Sequence, residues 1–137
     1  MFNDDIGSKK ELAGYDIDLQ FGLMQEQKIA DIFKGKGKIE VKAERGMWKT
    51  TGNIAIEVRF EGRKSGLSTV DADWWMHLLT SDGDIDMIIM IPVEKLRKIT
   101  SDMYMKGDAR LVYGGDKDKS QLVLLPINKL AEYAHTV

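Results

Sequence analysis

The sequence predicts an α/β domain, and three observations carry that expectation. Residues 38–44 (KIEVKAE) and 53–61 (NIAIEVRFE) alternate apolar and polar side chains with the period of two that marks a half-buried strand. Residues 23–34 and 68–79 instead space their apolar side chains three and four apart, as a helix buried on one side does. Residues 85–91 (IDMIIMI) form a nearly continuous apolar run of strand length, as expected of a central strand covered on both faces. No internal repeat, low-complexity tract or linker divides the 137 residues, so one domain, 1–137, is expected.

Taken in order, residues 1–10 are polar and expected to fray. Residues 15–21 (YDIDLQF) alternate again and read as an edge strand or an extended lead-in that Gly22 ends. In the 23–34 helix, Glu26, Ile29, Ala30 and Phe33 share one stripe, which puts a carboxylate among apolar side chains. A buried carboxylate is costly unless paired or bound to a metal, whereas one at the stripe's edge in a first turn is favoured by the helix dipole. The Lys34-Gly-Lys-Gly37 segment then stops the helix.

The 38–44 and 53–61 strands are expected to form an antiparallel pair around a loop holding Gly46 and Gly52. On that pairing Glu40, Lys42, Glu57 and Arg59 share one surface. Ser68 followed by Asp71 resembles a capping box for the 68–79 helix, whose stripe is Val70, Trp74 and Leu78 with His77 beside it. Trp75 falls off the stripe, to pack in a neighbouring groove or to stack on a base. After Pro92, residues 93–99 read as a short helix, 109–113 and 121–125 as a hairpin, and 127–134 as a last helix.

Composition narrows the chemistry. The absence of cysteine removes disulfides, zinc thiolates and thiol nucleophiles, and two histidines are few for a histidine-rich metal site. The start lacks a signal peptide's apolar stretch and no run approaches a membrane span, so a soluble, intracellular chain is expected. Net charge is −2, yet residues 34–64 hold nine Lys or Arg against four acids. Lys38, Arg45, Lys49, Arg59, Arg63 and Lys64 of that block are the candidate contacts to a phosphate backbone. The glycine-bearing loop 114–120 lacks the spacing of a phosphate cradle, and the Asp84/Asp86 and Asp116/Asp118 pairs do not match a calcium loop.

Glu26, Glu40 and Glu57 are hard oxygen ligands, suited to Mg²⁺ or Mn²⁺ rather than zinc. Lys42, two residues from Glu40 on the same strand face, lies about 6.5–7 Å from it at Cα and can reach a phosphate oxygen or an attacking water. The plain alternative is a solvated strand face striped with weak Glu–Lys pairs.

The longer pattern is a helix with an inward Glu, a basic turn, IEVK, TGN, IAIE, then SG and T-x-x-A-D-W. Over roughly residues 15–80 it resembles the PD-(D/E)XK nuclease superfamily, in particular its small phage-type and Holliday-junction-resolvase-like members. The resemblance implies a restriction-endonuclease-like core, a central mixed β-sheet flanked by helices, with Mg²⁺-dependent hydrolysis of DNA and commonly a homodimer. Glu26 fits the helical acid of many members. Two registers fit the acid-x-Lys signature. In one, Glu40-Val41-Lys42 is the tripeptide and Asp16 or Asp18 the acid of an earlier strand. In the other, Glu40 is the first acid and Glu57-Val58-Arg59 the tripeptide, which uses successive strands but puts Arg59 in the lysine's place, a stabiliser that shuttles no proton. Ser65, Thr69 and Asp73 also match the phage-type pattern. A DNA-binding or assembly protein that kept the fold without the activity is the competing expectation.

Overall fold

The computed structural model describes residues 9–136, with side chains from residue 18 onward. The chain divides into two compact units, Met1–Gly37 and Lys38–Val137. The described part of the first is one long helix, α1 (Lys9–Asp31), continued by a π-helical turn, Ile32–Lys36, in which Gly35 departs to φ 90°. The edge strand expected at residues 15–21 is therefore helix. Seven alternating residues are too short to separate the two periods, and the Gln, Met, Glu and Lys residues that follow favour helix propagation. The register that needs Asp16 or Asp18 on a strand loses that strand.

The second unit is α/β. Its strands are β1 (Ile39–Glu44), β2 (Asn53–Phe60), β3 (Arg63–Lys64), β4 (Trp74–Ser81), β5 (Asp84–Pro92), β6 (Arg110–Gly114) and β7 (Ser120–Pro126). Its helices are the single turn α2 (Trp48–Thr51), then α3 (Val93–Met105) and α4 (Leu130–Thr136). The strands form a mixed three-stranded sheet, β1-β4-β5, and an antiparallel four-stranded sheet, β3-β2-β7-β6.

Both strands expected at 38–44 and 53–61 exist, but they do not pair with each other. β1 runs parallel to β4, with Ile39 opposite Trp74 and Glu44 opposite Leu79. β2 runs antiparallel to β7, with Ile54 opposite Leu125. The linker explains the parting. α2 and the left-handed Gly52 (φ 72°) redirect the chain, and Trp48 Nε1 donates to the Thr80 carbonyl at 2.9 Å.

The helix expected at 68–79 is a 3₁₀ turn, Gly66–Ser68, followed by β4. Trp75, His77 and Leu79 are buried while Trp74, Met76 and Leu78 are half-buried, the alternation of a strand. β4 is the central strand, hydrogen-bonded to β1 on one side and β5 on the other. The capping box is absent: the Ser68 hydroxyl donates to the Val58 carbonyl, and Asp71 pairs with Lys38. Trp75 is 2% exposed, which excludes stacking on a base. The 85–91 strand forms as expected but at the sheet's edge, with Ile85, Met87 and Ile88 exposed.

The core joins Ile54 and Ile56 of β2, Leu79 of β4, Leu96, Ile99 and Met103 of α3, and Leu125 of β7. Each such side chain contributes about 1.5–3 kcal/mol by leaving water. No described helix is long and apolar enough to cross a membrane.

Candidate functional site

The site begins with the phase of β1. Alternation along the strand puts Glu40, Lys42 and Glu44 on one face, and Lys42 Nζ lies 3.1 Å from Glu40 Oε1. That phase is set at the strand's start. The Lys38 amide donates to Asp73 Oδ2 at 3.0 Å, and the Asp73 and Trp74 amides donate to the Lys38 carbonyl at 2.9 and 3.1 Å. Asp71 hydrogen-bonds the Lys38 ammonium at 2.8 Å, which raises the lysine pKa and lowers that of the aspartate. The A-D-W segment thus fixes which β1 residue faces which β4 residue.

Glu57 arrives from the other sheet. β2 is irregular between Glu57 and Arg59, a bulge of the kind that re-aims a side chain. One Glu57 oxygen accepts a hydrogen bond from Ser120 Oγ at 2.8 Å. The Ser65-Gly66 pair lies directly against this point. A Cβ at Gly66 (φ +53°) would stand 2.2 Å from the Glu57 carbonyl oxygen, so only glycine allows the approach. The Ser65 amide adds a bond to the Val58 carbonyl at 3.1 Å.

Between β1 and β2 opens a cleft of about 310 Å³ lined by Lys42, Glu44, Ala55, Glu57, Trp75 and His77, among others. Its inner wall is a hydrogen-bonded chain. The Trp75 indole N–H donates to His77 Nδ1 at 3.1 Å, and His77 Nε2 stands 3.0 Å from Glu44 Oε1. Since Nδ1 must accept from the indole, the ring proton sits on Nε2 and is donated to Glu44. The same Glu44 oxygen accepts the Ala55 amide at 2.6 Å. Burial is the largest single influence on the Glu44 carboxyl and pushes its pKa up. The hydrogen bonds from His77 and Ala55 outweigh it and hold the carboxyl below the usual range. Glu44 thereby ties the end of β1 to the free edge of β2 and to β4.

The structure brings together Lys42 and Glu57 in the cleft and Glu40 through its ion pair with Lys42. Glu26 lies on α1, in the Met1–Gly37 unit, whereas the cleft is built wholly from Lys38–Val137. Glu44 and Ser120 were not among the candidate site residues read from the sequence, and Trp75 and His77 were placed on a helix rather than on β4. Glu44 continues the Glu40–Lys42 alternation, a signal that was present, but nothing local ties Ser120 to Glu57 across 63 residues.

The basic block divides. Arg59 faces Lys64 and Phe60 faces Arg63 across the β2–β3 turn, so Arg59, Arg63 and Lys64 are gathered there and exposed. Together with Arg45 they have no ion-pair partner among the described residues. Lys38 pairs with Asp71, and Lys49 pairs with Asp86 at 3.4 Å while lying 5.8 Å over the Trp48 ring.

Among the described residues no group of three or more His, Asp or Glu side chains is placed to hold a metal ion by itself. In their described contacts Glu40, Glu44 and Glu57 each use Oε1 alone, which leaves Oε2 of each to a ligand. Mg²⁺ is commonly held by one or two carboxylates plus substrate oxygens and water, so this oxygen-only donor set fits it better than zinc. No protein-family model, curated protein or solved structure matches the chain.

Proposed function

We propose that the protein is a metal-dependent endonuclease that hydrolyses DNA phosphodiester bonds at the β1–β2 cleft, as a PD-(D/E)XK-type enzyme would. The observation that carries this reading is the meeting of Lys42 and Glu57, from strands of two different sheets, in one cleft with Glu40 paired to the lysine. The cationic β2–β3 turn continues from the strand that bears Glu57.

Glu57 and Glu40 would hold Mg²⁺ or Mn²⁺, which when bound supplies Lewis-acid polarisation of the phosphodiester. The Lys42 ammonium offsets charge developing on a non-bridging phosphate oxygen and orients the attacking water. Arg59, Arg63 and Lys64 hold the phosphate backbone, with Arg45 beside the end of β1. Glu44 and His77 do not touch substrate on this reading; they keep β1 against β2. Branched DNA as the preferred substrate, action as a homodimer, an intracellular setting and a phage-type kinship belong to the same proposal.

A second reading, a DNA-binding protein without catalysis, is favoured by one observation. One oxygen of each cleft carboxylate is already occupied, by Lys42, by His77 and Ala55, or by Ser120. Incubation with plasmid and four-way-junction DNA, with and without Mg²⁺ or Mn²⁺, separates the two. Catalysis predicts metal-dependent cleavage lost by at least about a hundredfold in Glu57→Gln and in Lys42→Met, with DNA affinity changed little. DNA binding indifferent to metal, with no cleavage by the native protein, supports the second reading.

A further inference from the structure

Away from the cleft, α1 carries apolar side chains that water still reaches. Leu19, Leu23 and Ile29 are 50%, 55% and 38% exposed. Positions 19, 22, 26 and 29 of this helix follow one another at spacings of three, four and three, the repeat of a two-helix seam. Leu19, Gly22, Glu26 and Ile29 therefore share one side of α1, with Leu23 at its margin. A lone helix of this length is marginal in water, and such a seam is stabilised by a second surface laid along it.

Two seam positions break the apolar run, and each is the complement of the other. Gly22 is a notch: a Cβ built there meets nothing within 4 Å. A shallow hollow of about 480 Å³ opens beside it, floored by Gln25, Ile29 and Ala30 and edged by Glu26. Glu26, one helical turn on, raises a long carboxylate side chain from the same seam.

We propose that α1 pairs antiparallel with α1 of a second copy about a two-fold axis near residue 24. Leu19 then packs on the partner's Ile29, and Leu23 meets the partner's Leu23 beside the axis. Glu26 enters the notch at the partner's Gly22, its stem across the hollow and its carboxylate at the rim. Parallel pairing would set Glu26 against the partner's Glu26 and leave a void between two glycines, both unfavourable. Charge favours the same direction, because the antiparallel register brings Asp18 level with the partner's Lys28, whereas the parallel one sets Lys28 beside the partner's Lys28. Three apolar side chains from each copy and two polar layers make a small contact, in the class of weak, reversible interfaces. It gives the homodimer of the nuclease reading an interface and rests on that part of the reading alone.

Sedimentation equilibrium of the full chain, without DNA or metal, tests the pairing. A monomer–dimer equilibrium is expected, mostly dimer at about 200 µM and mostly monomer at about 1 µM. Leu19→Asp is expected to weaken the dimer at least about thirtyfold. Phe21→Asp, at a position 62% exposed but turned away from the seam, should change it less than about twofold. The chain has no cysteine, so single introduced thiols report direction. Mixed Leu19→Cys and Ile29→Cys chains should oxidise to the mixed disulfide in preference to either variant with itself. A monomer at about 200 µM would mean that something other than a second copy covers the seam, and would overturn the proposal. So would a dimer indifferent to Leu19→Asp, one lost equally in Phe21→Asp, or Leu19→Cys that joins mainly to itself. A dimer that meets all these expectations in a protein that cleaves no DNA supports the pairing and counts against the nuclease reading alone.

Discussion

At the residue scale, two positions carry more of the cleft than their chemistry suggests. Gly66 has no side chain because the Glu57 carbonyl occupies the space one would need. Gly66→Ala combines a left-handed backbone with that overlap and is expected to cost roughly 2–4 kcal/mol of stability. Chemical denaturation measures the cost, and a loss of any cleavage activity beyond the fraction unfolded would show Glu57 displaced. Glu44 gives a pH signature. Its folded pKa lies below the ordinary glutamate value of about 4.3, so it stabilises the fold above that value and loses the contribution as pH falls through the folded pKa. Glutamine keeps an acceptor for both Ala55 and His77 but cannot titrate. The difference in melting temperature between the native protein and Glu44→Gln is therefore expected to be largest near pH 6 and to shrink toward pH 3.

At the element scale, β1 is the part most exposed to misregistration, because a one-residue slip would move Glu40, Lys42 and Glu44 to the opposite face. Asp73 opposes that slip by accepting the Lys38 amide just before the strand starts. Asp73→Ala is expected to leave α3, β6 and β7 protected from amide hydrogen exchange while β1 loses protection by at least about tenfold. Three strands were the more legible part of the sequence. The alternation in IEVKAE and NIAIEVRF located two strands, and IDMIIMI located a third. Partners were not legible, since alternation defines faces and says nothing of which strand lies alongside. DWWMHLL fits both periods, and its strand conformation follows from β1 and β5 lying on either side. The Glu40–Lys42 pair could be read directly; the Glu44–His77–Trp75 chain could not, because it depends on the parallel pairing that brings residue 44 level with residue 79.

At the scale of the whole molecule, net charge hides a segregated surface. Arg59, Arg63 and Lys64 stand together on one turn, whereas Lys38 and Lys49 are matched by acids. Each phosphate contact contributes about 0.9 to the slope of log affinity against log salt on duplex DNA. Replacing all three with glutamine is therefore expected to flatten that slope by about two to three while leaving thermal stability nearly unchanged. Fluorescence anisotropy between 50 and about 200 mM salt reads the difference. An unchanged slope would count against the proposed DNA contact at this turn.

The long-range pairing of the two sheets also bears on how the chain comes to life. β1 waits for β4, and β2 waits for β7, whose Ser120 steadies Glu57. A ribosome would have to release the chain through Ser81 before β1 found β4, and nearly the whole sequence before β2 found β7. Until then both are bare ribbons open to adhesion with other chains, and assembly dominated by such distant contacts is slow. Shortened products that stop before residue 120 should precipitate rather than accumulate as half-built proteins, and the cleft would be among the last features to take shape.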